Sequence, residues 1–142
     1  MSDSVVLYEV RDDGVAVITL NRPDRMNAWT HELDELYFST LRKANADTNV
    51  RAIVVTGAGR GFSAGADLEI LQNLDGERPP TALSPKTGRP LPFKHLQHEV
   101  LSVNKPVIAA INGAAAGMSL VQALLADERF AAAGAKFTFA FS

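Results

Sequence analysis

Two apolar runs open the chain. Val5 to Val10 and Val15 to Leu20 are rich in β-formers, and the second, VAVITL, is almost continuously apolar. Asp12-Asp13-Gly14 between them predicts a hairpin. Asn21 to Asp24 predicts a loop. Thr30 then opens a predicted helix, in which Leu33, Leu36, Tyr37, Leu41 and Ala44 recur at helical spacing. Arg51 to Thr56 reads as a buried strand, followed by a glycine-rich bend and a helix from about Ala66 to Leu74. Phe93 to Val103 predicts another helix. Lys105 to Ile111 predicts a strand that tolerates Pro106 at its start. Asn112-Gly113 is a turn signal, and the small, apolar stretch Ala114 to Ala126 predicts a buried helix. Arg129 to Ala132 and Lys136 to Phe139 predict short strands. Strands alternate with helices, so the expected class is α/β.

The segment Asp75 to Pro92 holds Pro79, Pro80, Pro85, Pro90 and Pro92 of the chain's seven prolines, and it predicts a flexible loop. A length of 142 residues fits one domain with a core of its own. Hydrophobic and charged contents of 46% and 21% are globular values. A net charge of −2, with scattered basic residues, gives no footprint for nucleic acid or an anionic membrane. The absence of cysteine excludes disulfides, a thiolate nucleophile and cysteine-ligated zinc. No secretory signal or membrane span is expected, so the expected location is cytoplasmic. The chain stops at AKFTFAFS, inside a predicted strand and turn, which predicts a fragment of a longer protein.

The candidate chemistry lies in two strand-bend-helix units, AIVVTGAGRGFSAGADL and PVIAAINGAAAGMSLVQALLAD. Small residues at each bend let a ligand approach the backbone. If the two strands are neighbours, both predicted helix N-termini can face one oxygen atom, and two converging N–H groups form an oxyanion hole. Each bend alone also reads as nothing more than a tight corner. Phosphate binding is a weaker reading, because GAGRGFSAG lacks both the G-x-G-x-x-G spacing and the P-loop G-K-[ST].

Gly57 to Leu68 (GAGRGFSAGADL) and Lys105 to Gly117 (KPVIAAINGAAAG) resemble the two signature motifs of the crotonase (enoyl-CoA hydratase/isomerase) superfamily. Asn21 to Thr30 (NRPDRMNAWT) resembles its CoA-binding loop, and the likeness runs from Val15 to Ser142. The resemblance implies a crotonase-like fold of repeated β-β-α units, here truncated to the N-terminal portion of one core domain. It also implies assembly as a homotrimer or dimer of trimers. The implied substrate is an acyl-CoA thioester, with coenzyme A as part of the substrate and no other cofactor. The backbone N–H groups of Ala66 and Met118 would form the oxyanion hole. Arg25, Asn27, Ala28, Ser63, Ala64, Asp67, Leu68, Gly113 and Gly117 would line the CoA and acyl sites.

Several departures sharpen the expectation. Met118 and Ser119 stand where many members carry glycine or alanine, and a methionine there narrows the acyl pocket. Hydratases of the family use two glutamates, at the positions of Val121 and Phe141 here. Neither residue can take a proton from water. AKFTFAFS instead resembles the phenylacetyl-CoA-type isomerase branch, where one acid shuttles a proton along the acyl chain. That acid is expected beyond Ser142. Isomerisation is therefore the expected reaction; hydration and a non-catalytic CoA-binding subunit are the alternatives. Asp67 also reads as a first-turn helix acid, and Arg25 as a solvated loop charge. His95, His98 and Glu99 form at most an incomplete ligand set, so no metal site is expected. His31 reads as a helix-surface residue, Trp29 and Phe62 as core or CoA contacts, and Asp127-Glu128-Arg129 as a solvated helix end.

Overall fold

The computed structural model describes residues 4–72 and 97–139. The predicted loop from Asp75 to Pro92, His95 and Phe141 lie outside the described residues.

Strands β1 (Val6–Val10) and β2 (Val15–Leu20) form the predicted antiparallel hairpin, with Val10 opposite Ala16. Gly14 makes its turn at φ +84°. Strand β3 (Ala52–Gly57) runs parallel to β2, and β4 (Val107–Ile111) parallel to β3. The sheet ends on β6 (Glu128–Ala131), parallel to β4, so its order is β1-β2-β3-β4-β6. Short strands β5 (Ala115–Ala116) and β7 (Phe137–Thr138) pair separately. Burial alternates along β2, β3 and β4, leaving Ala16, Ile18, Leu20, Ile53, Val55, Val107, Ala109 and Ile111 on the buried side.

Helix α1 (His31–Ala46) covers that side of the hairpin. It begins where predicted, because the Thr30 hydroxyl accepts from the Leu33 N–H at 3.1 Å. Leu33, Tyr37, Phe38, Leu41 and Ala44 face the core. Lys105 Nζ donates to the Ala44 carbonyl at 2.8 Å and also to that of Asp47, capping the helix's negative end. Helix α3 (Gly117–Leu125) packs on a 3₁₀ turn at Gln97–Ser102.

Four expectations need correction. The second helix, α2, is described over Leu68–Gln72 and starts at Leu68, later than expected, with Ala66 ahead of it in an extended bridge to Trp29. Ala114 to Ala116 are not helical: β5 pairs with β7, and that tertiary pairing overrides helix propensity. The described end of the Phe93 to Val103 segment is 3₁₀ and not α-helical. Asp127 to Arg129 is exposed and follows α3, with Arg129 donating to the Leu124 and Ala126 carbonyls, but it is more than a solvated helix end. Asp127 Oδ2 accepts from the Val107 N–H at 2.8 Å, and Glu128 and Arg129 belong to β6.

Candidate functional site

The bend after β3 is held from two sides by amide side chains, one buried (Asn27) and one half-buried (Asn112). Asn27 sits at φ +54°, fully buried, and its Nδ2 donates to the carbonyls of Ala58 (2.9 Å), Gly61 (3.0 Å) and Phe62 (3.2 Å). Its Oδ1 accepts from the Arg22 N–H at 2.7 Å. Asn112, from the turn after β4, donates to Gly59 and again to Gly61, at 3.0 and 3.1 Å. A loop carbonyl buried without a donor would be costly, so these two side chains fix the loop's path.

The two bends are then joined. The N–H groups of Phe62 and Ser63 donate to the Ala114 carbonyl, and that of Ala116 donates back to Ser63 at 3.0 Å. Ser119 Oγ adds a bond to the Ser63 carbonyl at 2.9 Å. Gly113 makes the closest approach, since a Cβ there would lie 2.0 Å from the Arg60 carbonyl. Gly65, at φ +89°, is pressed on the start of α3. A Cβ there would lie 2.8 Å from the Ala116 carbonyl and 3.7 Å from Gly117 Cα. Gly117 itself turns the chain at φ +55°.

Trp29 closes the far side. Its N–H donates to the Gly65 carbonyl at 2.7 Å, and its carbonyl accepts from the Asp67 N–H at 2.9 Å. The residue between, Ala66, donates its N–H to no acceptor among the described residues. Met118 lies in the first turn of α3, where the helix supplies no acceptor, and Ala116 at the N-cap has no capping side chain. Half-buried, uncommitted backbone donors therefore sit on two chain segments in contact. Such donors stabilise negative charge forming on an oxygen.

The other expected site residues divide into two sets. Asn27 and Ser63 have no exposed surface, so neither side chain reaches a ligand. Ser63 Oγ donates to the Asn27 carbonyl at 2.7 Å. Ala28 is buried, and its carbonyl accepts from Arg22. Asp67 accepts from the Glu69 N–H at 3.0 Å at the start of α2 and pairs with Arg22 at 3.1 Å. The Glu69 bond and the Arg22 guanidinium hold its carboxyl below the ordinary carboxylate range. Its observed work is structural. Arg25, Ala64 and Leu68 are exposed, with Ala64 tied to the Met26 carbonyl at 2.9 Å. Val121 follows Met118 by three positions on α3 and is half-buried. Trp29 and Phe62 are core residues. Among the described residues no three metal-ligating side chains gather, and no helix is long and apolar enough to cross a membrane. Sequence reasoning missed Arg22, Asp34 and Asn112. Only the Asn-Gly turn signal marked Asn112, and it carried no hint of the loop it holds.

Residues 10–142 match the family described as enoyl-CoA hydratase/isomerase. The chain is 39% identical over 133 residues to 1,2-epoxyphenylacetyl-CoA isomerase of Escherichia coli (strain K12), covering 92% of this chain and 49% of that protein. It is 43% identical over 130 residues to a probable enoyl-CoA hydratase, echA14, of Mycobacterium tuberculosis, covering 92% and 48%. Its structure is similar to that of the enoyl-CoA hydratase EchA12_1 from Mycobacterium marinum. There the TM-score is 0.73 at 44% identity, over 95% of this chain and 54% of that one. The chain spans about half the length of the curated relatives it matches.

Proposed function

The chain belongs to the enoyl-CoA hydratase/isomerase family and has the crotonase-like fold of its relatives, and from that premise we propose that it forms the oxyanion-holding part of an acyl-CoA enzyme. The N–H groups of Ala66 and Met118 donate to the thioester carbonyl oxygen. The observation that carries this reading is the contact of Gly65 with Ala116 and Gly117, which brings two uncommitted donor segments side by side. Removing one donor from such a site costs on the order of 10²–10³ in rate. Arg25, Ala64 and Leu68 are exposed and free to meet the CoA moiety. No cofactor is required.

The reaction we favour is migration of the double bond in an enoyl-CoA. Loss of a proton from C2 of a 3-enoyl thioester leaves a conjugated dienolate, with its charge on the thioester oxygen. Return of the proton at C4 gives the 2-enoyl thioester. One carboxyl group removes and returns the proton, and no water or redox partner enters. Val121 supports isomerisation over hydration: the family resemblance puts a hydratase glutamate there, and valine has no group to activate water. The proton carrier is expected after Ser142. A homotrimer or dimer of trimers in the cytoplasm completes the reading, on the resemblance alone.

The test is an assay on full-length protein. Conversion of 3-enoyl-CoA to 2-enoyl-CoA, with negligible hydration of crotonyl-CoA, is the expected result. Hydration at ordinary enzymatic rates without double-bond migration would overturn it.

A further inference from the structure

Asp34 lies within the buried face of α1, 1% exposed, among Leu33, Tyr37 and Phe38. A carboxylate in such a place needs strong partners. One is the indole of Trp29, also 1% exposed, whose Nε1–H donates to Asp34 Oδ1 at 3.1 Å. The indole ring also meets Tyr37 edge-on, with centroids 5.2 Å apart. Packing alone fills the volume behind Trp29. A hydrogen bond at the ring's polar edge also fixes how the ring is turned.

The backbone of Trp29 is the strip to which Ala66 is attached. Its N–H holds the Gly65 carbonyl, and its carbonyl holds the Asp67 N–H. Those bonds lie on either side of Ala66, so the orientation of the Ala66 peptide follows Trp29.

We propose that Asp34 is a positioning residue, which fixes the Trp29 indole and thereby aims the Ala66 N–H. This rests on the reading of Ala66 as an oxyanion donor. Asp34 touches no substrate; it acts through Trp29. Misplacement of a catalytic group by about 1 Å can cost on the order of 10²-fold in rate, which is why a donor with no side chain needs such a support.

The test compares Asp34→Asn, which keeps an acceptor for the indole, with Asp34→Leu, which removes it. Amide hydrogen exchange is read at Asp67, whose N–H belongs to the clamp, and at Ile53, whose N–H donates to Pro106 within the core. In Asp34→Leu, exchange at Asp67 should accelerate at least about 10-fold more than at Ile53, since local opening needs less free energy than global unfolding. Asp34→Asn should restore the wild-type ratio. Equal acceleration at both sites in Asp34→Leu would reduce Asp34 to a general stabiliser and overturn the proposal. The second readout is the absorbance of a bound aryl-conjugated enoyl-CoA, which moves to the red when its carbonyl is polarised. The expected result is a red shift in wild type and Asp34→Asn that is diminished in Asp34→Leu. A full shift in Asp34→Leu also overturns the proposal. No shift in wild type refutes the oxyanion reading itself, and the exchange ratio then still decides whether Asp34 positions the Ala66 segment.

Discussion

Asp67 ties α2 to the loop that begins at Asn21. Its carboxylate accepts from the Glu69 N–H and pairs with Arg22, and both interactions favour the ionised form. Its folded pKa is therefore below its ordinary value of 3.8. A depressed carboxylate pKa contributes stability that is complete above the unfolded value and is lost as pH falls through the folded one. The linked loss belongs below about pH 4. Asp67→Asn should lower the melting temperature at pH 7, where a helix cap is worth about 1 kcal/mol. It should also flatten the further fall below pH 4, and thermal melts from pH 7 to pH 2.5 check both. A wild-type slope in the variant would show that the ion pair contributes nothing. Asp67 was legible as a helix-start acid because its partner lies two positions away. Asn27 was not, because its acceptors at Ala58, Gly61 and Phe62 come from a loop more than thirty residues on. No local pattern of residue types encodes that contact.

Among the elements, those with a strong internal period were read correctly. Helix α1 follows its apolar spacing and its Thr30 cap, and the first hairpin follows Asp-Gly between two β-rich runs. The misread elements are those whose ends belong to a distant partner. Gly65-Ala66-Asp67 looks like the start of a helix, yet Trp29 draws Ala66 into an extended pairing. Ala115 and Ala116 are drawn into β5 in the same way. Gly65 is the position where these constraints meet. Alanine there would suffer a positive φ, which costs about 1–3 kcal/mol, and its Cβ would meet the Ala116 carbonyl at 2.8 Å. Gly65→Ala should therefore lower the urea midpoint and separate the two bends. If the reading of Ala66 and Met118 is right, it should also abolish polarisation of a bound thioester. Wild-type stability in Gly65→Ala would mean that the two bends are not in close contact.

At the scale of the molecule, the sheet is asymmetric. Its β1 side is covered by α1, while β6 is exposed along its whole length. Phe130 is 68% exposed there, and Phe137, Phe139 and Leu124 are exposed as well. Among the described residues β6 pairs only with β4, and an unpaired strand edge with apolar side chains is a template for pairing with another chain. The 142-residue chain should self-associate as its concentration rises, and Phe130→Lys should reduce that association without lowering its melting temperature. Multi-angle light scattering across a dilution series checks this; a monomer at every concentration would show the edge to be inert.

The backbone donors proposed at Ala66 and Met118 carry one further consequence. A peptide N–H does not titrate in the range where enzymes work, so the group that holds the enolate is the same at pH 5 and pH 9. The polarising donors themselves then add no ionisation to the pH dependence of the chemical step, which is left to the proton carrier and to the charged groups of the substrate. The two halves of the chemistry are separable. The carrier can be exchanged for another, or its position given to valine, while the polarising loop is left untouched. One scaffold can thus serve both proteins named as isomerases and proteins named as hydratases.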